Sequence, residues 1–261
     1  MEDILQTIVA HKRREVALHI AHTPLEKMRA RAAAVDRPTV SMSRALKASS
    51  TGIIAEFKRR SPSKGWIARY AHPADVAAAY ERSGAAAMSI LTDGEFFGGG
   101  VSDLTAARAV TTLPLLRKEF IVHEYQIYEA RAAGADAVLL IASVLTPEEC
   151  RHLTDTAHAL GLETLLEIHS ADEIGHILPD TDMIGVNNRH LGTFHTDTEV
   201  SFTMADKLPH DRVLVSESGI SSAETIRRLR EAGFAGFLIG ETFMKCEDPS
   251  QALRQLIAQV Q

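Results

Sequence analysis

Short apolar runs recur along the chain and alternate with segments whose apolar residues follow helical spacing. Runs of this length, bounded by polar or turn residues, are typical of buried strands. The pattern predicts eight strands. They are GIIAEFK (52–58), AAMSIL (86–91), LPLLRKEF (113–120), DAVLLI (136–141), LETLLEI (162–168), DMIGVNN (182–188), RVLVSES (212–218) and AGFLIG (235–240).

Helical periodicity fills most of the intervals between these runs, including 73–83, 124–133, 147–160 and 222–231. Pro73 and Pro147 begin two of these segments, where a missing N–H costs nothing. Three segments end in a Gly that precedes the next apolar run, in SGAAAMSIL, AGADAVLLI and AGFAGFLIG. The chain therefore reads as a repeated β–α unit.

Alternating strands and helices predict a parallel sheet, because each crossover must return the chain to the same edge. An open doubly wound sheet and a closed barrel both fit this order. Eight units in roughly 210 residues favour the barrel, and no G-x-G-x-x-G follows the first run. We expect an α/β protein with one (β/α)8 TIM-barrel domain over residues 1–261. Residues 1–47 would be a helical extension before the first strand, with helices at 4–20 and 24–34.

Composition narrows the class of protein. The 261 residues are 45% hydrophobic and 24% charged, as in ordinary globular proteins. The net charge of −6 comes without a block of basic residues, which disfavours nucleic-acid binding. Cys150 and Cys246 lack disulfide or metal-ligand spacing and are typical of a reducing compartment. Neither a signal peptide nor a run long enough to span a membrane is evident, so we expect a cytoplasmic protein without membrane contact.

Polar residues lie at the carboxyl ends of several predicted strands. In a barrel, the carboxyl ends of all strands meet at one mouth. Glu56 and Lys58 are two positions apart and would project to the same side. The alternative is that charged residues simply mark strand ends in solvent. Complementary acids and bases on five strands favour a shared site. Besides Glu56 and Lys58, the residues of this predicted site are Lys118, Glu167, Asn187, Arg189, Glu217 and Ser218.

Glycines follow the last two strands, in SESGIS and LIGETFM. The loops after strands seven and eight of such barrels commonly hold a phosphate through backbone N–H groups. Gly219 and Gly240 therefore predict a phosphate site. His190 and His195 lie near the mouth without metal-type spacing, so we expect no metal.

Several segments together carry a family resemblance, namely IAEFKRRSPSKG, LRKEFIVHEYQIYEARAAGADAVLLI, GVNNRHLGTFHTD, VSESGI and FLIGETFM. They resemble indole-3-glycerol phosphate synthase, a barrel enzyme of tryptophan biosynthesis, and the similarity covers nearly the whole chain. The resemblance implies a carboxy-lyase that acts on 1-(2-carboxyphenylamino)-1-deoxyribulose 5-phosphate. Ring closure, decarboxylation and dehydration would give indole-3-glycerol phosphate without a cofactor. It also implies a monomer with no fused second enzyme.

The resemblance assigns roles to residues of this chain. Lys118 would protonate the carbonyl oxygen during ring closure, and Glu217 would orient its neighbours. Lys58, Glu56 and Glu167 would share the acid and base roles of dehydration, and their division stays open. Asn187 and Arg189 would bind near the sugar and carboxylate. The phosphate would contact Ser61, Gly219 and Gly240, beside Ser218 and Glu241, and the apolar walls would be Phe97, Phe120 and Leu191.

Two other functions fit the same residues. Lys118 could be the nucleophile of a Schiff-base aldolase, since barrel lysines at strand ends perform that chemistry. The chain could also be a non-catalytic phosphate-binding barrel. The SPSKG loop is unexpected in the first alternative, and the number of ionisable groups at the mouth is larger than the second requires.

Overall fold

Eight parallel strands close into a barrel in the computed structural model, which describes residues 4–190, 192 and 195–261. Each strand pairs with its neighbour in sequence, and the first pairs with the last. The predicted TIM barrel is therefore confirmed, and every predicted run contains a strand. The strands are β1 (Ile53–Phe57), β2 (Ala87–Leu91), β3 (Leu115–Lys118), β4 (Ala137–Ile141), β5 (Glu163–Ile168), β6 (Met183–Asn187), β7 (Val213–Glu217) and β8 (Phe234–Ile239).

Alternation along each strand divides the apolar residues into two cores. In β1, Ile53, Ala55 and Phe57 face the surrounding helices, whereas Ile54 belongs to the cluster inside the barrel. Position 56 has the parity of Ile54, so its side chain also faces the interior. The register pairs Glu56 with Ser89 of β2. Inward-facing polar residues are thus gathered at one end of an otherwise apolar barrel.

Helices occupy the crossovers and the segment before β1. The predicted helices 73–83, 124–133, 147–160 and 222–231 are observed within one residue at either end. The helices are α1 (Ile4–His22), α2 (Leu25–Ala33), α3 (Met42–Ala48), α4 (Pro73–Arg82), α5 (Val101–Arg108), α6 (Glu124–Ala133), α7 (Pro147–Ala159), α8 (Glu199–Ala205), α9 (Ala223–Glu231), α10 (Glu241–Met244) and α11 (Pro249–Val260), with a 3-10 helix at Ala171–His176.

Local signals account for several helix ends. Thr146 accepts a hydrogen bond from the Glu149 N–H, and the Glu149 side chain accepts one from the Thr146 N–H, which forms a capping box at the start of α7. Gly134 ends α6 with a φ of 93°, a conformation that L side chains rarely adopt. These ends set the short loops that return the chain to the barrel.

The helices before β1 contact both ends of the barrel. Met42 and Leu46 of α3 belong to the interior apolar cluster. Glu163, the first residue of β5, accepts hydrogen bonds from Ser41 and Ser43 and so fixes α3 at the amino ends of the strands. Ile8 of α1 belongs to the same cluster but lies at the opposite end, where it lines a cavity. In the part of the chain that the structure describes, no helix is long and apolar enough to cross a membrane.

Candidate active site

A cavity of about 580 Å³ opens at the carboxyl ends of the strands. Residues from the ends of all eight strands and from the loops that follow them form its walls. Fourteen of the fifteen residues predicted for the site fall among the described residues. Those lining the cavity are Glu56, Lys58, Phe97, Lys118, Phe120, Glu167, Asn187, Arg189, Glu217, Ser218, Gly219, Gly240 and Glu241.

Two predicted residues are not among these. Leu191 lies outside the residues that the structure describes. Ser61, in the loop after β1, is buried, and its hydroxyl has no hydrogen-bond partner in the described part of the chain. Its neighbours Pro62, Ser63 and Lys64 line the cavity instead.

Glu56 and Lys58 project together from the end of β1, as their spacing predicts. The Lys58 Nζ lies 2.5 Å from Glu56 Oε1. Glu56 is only 4% exposed, whereas the Lys58 ammonium sits at the cavity surface. Burial of a carboxylate is costly unless an opposite charge accompanies it. The pair thus keeps an anion inside the barrel and presents a cation to the cavity.

Lys118, at the end of β3, lies between two buried carboxylates. Its Nζ is 2.8 Å from Glu167 Oε2 and 3.4 Å from Glu217 Oε2. Burial by itself lowers the pKa of Lys118, but the charges of Glu167, Glu217 and Glu56 outweigh it and raise that pKa. The side chain is therefore an ammonium at neutral pH.

The two carboxylates beside Lys118 differ in protonation. Burial raises the pKa of Glu217, Lys118 opposes this, and the charge of Glu167 adds to it, so that the pKa of Glu217 reaches about 8. Burial also acts to raise the pKa of Glu167, but Lys118 and His169 overcome it and lower that pKa. Two like charges beside one ammonium cannot both be fully compensated, so they share one proton. These opposite directions favour the charge on Glu167 and the proton on Glu217 near neutral pH.

Asn187 and Arg189, at and after the end of β6, extend this network toward the opposite wall. The Asn187 amide donates to Glu167 Oε1 at 3.1 Å, and its carbonyl accepts the Arg189 N–H at 3.0 Å. The Arg189 guanidinium lies 3.6 Å from Glu241 Oε2. Arg189 is therefore held between the ionisable groups and the loop after β8.

Strained and glycine-rich backbone follows β7 and β8. Ser218 and Gly219 have φ values of 68° and 77°, a region that is costly for L residues other than Gly. Gly240 precedes α10, and a Cβ there would collide with the Glu56 carboxylate. The loop after β1 spans the mouth to this side, where Lys64 Nζ lies 2.5 Å from Glu241 Oε1. Glycine-containing loops, a lysine and an arginine thus surround one end of the cavity.

Aromatic side chains form the other end. The rings of Phe97 and Phe120 lie 6.0 Å apart between centroids, tilted by 37°. Asp93 accepts the Phe97 N–H at 3.2 Å, and Glu119 accepts the Phe120 N–H at 2.9 Å. These carboxylates therefore fix both walls. The cavity combines an apolar end with convergent polar groups, which is common in small-ligand sites.

Sequence reasoning missed the contribution of α1. Ile4, Leu5 and Ile8 line the cavity. Lys12 is fully buried, and its Nζ lies 2.9 Å from Asp93 Oδ2 and 3.0 Å from Glu119 Oε1. The sequence does contain a signal for this buried lysine. Lys12 follows Ile8 by four positions and so lies on the buried face of the helix. A charge on that face indicates a buried partner.

His169 was also missed. It follows Glu167 by two positions, the same spacing that separates Glu56 from Lys58. Its Nε2 lies 3.3 Å from Glu167 Oε1. Among the residues that the structure describes, no group of three or more His, Cys, Asp or Glu side chains could hold a metal ion.

The fold and this cavity define a (β/α)8-barrel protein whose ionisable side chains gather at the carboxyl ends of the strands. Comparison of the sequence with protein families narrows the class. The family model described as indole-3-glycerol phosphate synthase matches residues 5–256. The chain belongs to the indole-3-glycerol phosphate synthase family, as the sequence resemblance predicts.

Curated relatives agree with the family match. The chain is 54% identical over 261 residues to the indole-3-glycerol phosphate synthase of Bacteroides thetaiotaomicron, with 100% of both chains covered. It is 46% identical over 259 residues to the synthase of Burkholderia cenocepacia, covering 98% of this chain and 99% of the relative.

Solved structures show the fold alone. The N-acetylmannosamine-6-phosphate 2-epimerase of Clostridium perfringens aligns with a TM-score of 0.61 at 15% identity, covering 86% of this chain and 99% of the other. A tryptophan synthase alpha-subunit from Pyrococcus furiosus aligns with a TM-score of 0.59 at 14% identity, covering 80% and 97%.

Proposed function

We propose that this chain is an indole-3-glycerol phosphate synthase that converts 1-(2-carboxyphenylamino)-1-deoxyribulose 5-phosphate to indole-3-glycerol phosphate, CO2 and water. The observation that carries the proposal is the Lys118 ammonium held between Glu167 and Glu217 within one cavity. Family membership supports the same reaction.

Ring closure joins the aromatic carbon that bears the carboxylate to the ketone carbon of the sugar. The carbonyl oxygen gains negative charge as the new carbon–carbon bond forms, and Lys118 gives it a proton. An alkoxide is a stronger base than an amine, so this transfer is favourable although the pKa of Lys118 is raised. Loss of CO2 then returns the electron pair of the carboxylate bond to the ring.

Dehydration removes the former carbonyl oxygen as water and one proton from carbon. We assign the base to Glu167, because it carries the charge that Glu217 lacks at neutral pH. Its basicity rises once Lys118 has given up its proton, since the nearest opposing charge is then gone. Lys58 and its partner Glu56 would supply the proton to the leaving hydroxyl.

Substrate orientation follows from the two ends of the cavity. The phosphate would bind at Ser218, Gly219 and Gly240, within reach of Lys64 and of Ser61 after a loop movement. Glu241 would then release Lys64 or Arg189, the two cations that it now contacts. The anthranilate ring would lie between Phe97 and Phe120, with Leu191 as a further wall and the ring carboxylate facing Lys58 or Arg189.

The Schiff-base alternative is disfavoured by the same geometry. A lysine nucleophile must be a neutral amine, whereas Lys118 is an ammonium paired with two carboxylates. Borohydride added with the substrate should therefore leave no adduct on Lys118.

The test combines the purified protein with the anilino-ribulose phosphate and follows indole fluorescence and CO2. Wild-type protein should convert the substrate. Lys118→Ala should lower kcat by about 10²- to 10⁴-fold, because a positioned proton donor usually contributes a rate factor of that size. Lys207→Ala, at an exposed lysine, is the matched control and should keep full activity. Absence of turnover by folded wild-type protein would refute the function, and a near-normal Lys118→Ala would refute the role.

We further propose that residues 1–261 fold as one domain, with 1–47 as an extension, and that the protein acts as a cytoplasmic monomer. The contacts of α1 and α3 with the barrel interior support a single unit. The exposed large apolar residues are scattered over different segments, namely Leu18, Val40, Trp66, Tyr70 and Val110. Cys150 and Cys246 are unpaired, as is usual in a reducing compartment. Light scattering after gel filtration tests the oligomeric state.

A further inference from the structure

His169 lies directly behind the Glu167 carboxylate. It is the residue after the end of β5, and its side chain is only 14% exposed. Glu167 lines the cavity, whereas His169 is not among the described residues that do so. The imidazole is therefore placed to act on Glu167 without touching a ligand in the cavity.

Both ring nitrogens of His169 face carboxylate oxygens. Nε2 lies 3.3 Å from Glu167 Oε1, and Nδ1 lies 3.6 Å from Glu173 Oε2. Glu173, in the 3-10 helix after β5, is itself held by the His169 backbone N–H, which donates to Oε2 at 2.6 Å. The loop after β5 thus fixes the second carboxylate against the ring.

This arrangement selects one protonation state. A neutral imidazole has one nitrogen without a proton, and that nitrogen would face the lone pairs of a carboxylate. The doubly protonated ring instead places a positive charge within ion-pair distance of both carboxylates. Burial by itself lowers the pKa of His169, but the contacts with Glu167 and Glu173 outweigh it and raise the pKa to about 10.

We propose that His169 is a positioning residue, an imidazolium that holds Glu167 negatively charged and correctly oriented throughout the reaction. This role rests on the proposed function, in which Glu167 is the base. Glu173 fixes the ring from the far side, so that the chain of contacts runs from Glu173 through His169 to Glu167.

The charges around Glu167 explain why a second cation is useful. Lys118 contacts Oε2 on the cavity side, and His169 contacts Oε1 from behind. When Lys118 gives its proton to the substrate, its positive charge disappears while Glu167 stays buried. His169 then remains as the compensating charge. The other groups facing this cluster are Asn187 on the neighbouring strand β6, Glu217 on β7 and His176 beside Glu173.

The experiment measures kcat and kcat/KM against pH for wild-type protein and His169→Gln. Gln retains a donor near Glu167 but removes the charge, so the pKa of Glu167 should rise. The acid limb of kcat/KM should therefore move to higher pH by at least about one unit, a roughly tenfold extra loss on the acid side. KM near pH 8 should stay within about twofold, because the ring lies outside the cavity. His169→Lys restores a cation and should move the limb back toward wild type.

His176→Gln is the matched control. His176 lies in the same 3-10 helix and contacts the Glu173 and Leu145 carbonyl oxygens, away from Glu167. Its variant should keep the wild-type acid limb. An unchanged limb in His169→Gln, or an equal shift in His176→Gln, would overturn the proposal while leaving the enzymatic activity itself established.

A measurement that does not depend on turnover tests the role of His169 separately from the proposed enzymatic function. Ring ¹⁵N chemical shifts of His169 in the wild-type protein, assigned through backbone connectivity, should show both nitrogens protonated at pH 8. Glu173→Gln should lower the pKa of the ring. A neutral, singly protonated ring at pH 7 would overturn the proposal whether or not the protein converts the substrate.

Discussion

At the residue scale, Glu217 shows how the barrel sets a side chain's chemistry. Its carboxyl is 1% exposed, lies 3.4 Å from the Lys118 ammonium and competes with Glu167 for it. Burial and the neighbouring charge raise its pKa to about 8 against an ordinary value of 4.5. The folded state therefore binds a proton that the unfolded chain releases between these two pH values.

This linkage gives a prediction for stability. Because the unfolded state loses the proton first as pH rises, Glu217 should reduce the free energy of unfolding progressively between about pH 4.5 and 8. Glu217→Gln resembles the protonated form and removes this loss. Relative to wild type, its free energy of unfolding should rise from pH 5.5 to pH 8, by up to roughly 1.4 kcal/mol per pH unit. Urea unfolding at several pH values measures the difference.

Glu224→Gln, at an exposed position of α9, supplies the control for this series. The difference in free energy of unfolding between Glu224→Gln and wild type should vary little with pH. A constant offset between wild type and Glu217→Gln over the same range would contradict a raised pKa at Glu217.

At the scale of secondary-structure elements, α1 is attached to the site by a buried charge. Lys12 contacts Glu15 of its own helix, Asp93 after β2 and Glu119 after β3. Burial lowers the pKa of Lys12, but the charges of Glu119 and Asp93 outweigh it and raise that pKa. The same two carboxylates hold the backbone of the aromatic walls. A helix outside the eight β–α units thus supports the cavity.

Lys12→Met should therefore destabilise the protein strongly. Methionine fills much of the volume but leaves Asp93 and Glu119 buried without a cation, a loss of about 3–5 kcal/mol in comparable cases. Urea unfolding gives the change in free energy. Lys27→Met, at an exposed position of α2, should cost less than about 0.5 kcal/mol. A loss below about 1 kcal/mol for Lys12→Met would show that the cluster does not anchor α1.

At the scale of the whole molecule, closure of the barrel brings together the loops of the proposed phosphate site. Gly219 follows β7 and Gly240 follows β8, and both line the same cavity. The loop after β1 completes this end through Lys64 and Glu241. Ligand binding across three loops should therefore stabilise the folded barrel as a unit.

Inorganic phosphate should raise Tm in a concentration-dependent way. At 100 times its Kd, one site contributes about 2.7 kcal/mol, which corresponds to roughly 5–10 °C for a domain of this size. Gly219→Ala should reduce the shift, because its Cβ would lie 2.7 Å from Thr196 Cγ2 at a φ of 77°. Scanning calorimetry at constant ionic strength, with chloride as the reference anion, measures the effect. An equal shift in both proteins would place phosphate elsewhere.

The repeated β–α units, the strands and the residues at their ends can all be predicted from the sequence alone. These follow from local rules, since period-two alternation fixes which side chains share a face and helix-capping residues fix where helices end. Glu56 and Lys58 are adjacent in space because they are two positions apart on one strand. The resemblance to a known family predicted which reaction the protein catalyses.

The distances and charge states within the cavity could not be predicted from the sequence, because they depend on how the strands come together. Lys118 meets Glu167 and Glu217 across 49 and 99 positions of sequence, and these contacts determine which carboxyl holds a proton. The position of Lys12 against the aromatic walls and of His169 behind Glu167 also depended on packing between elements. A pKa depends on burial and on nearby charges, and both arise when the closed barrel brings distant strand ends together.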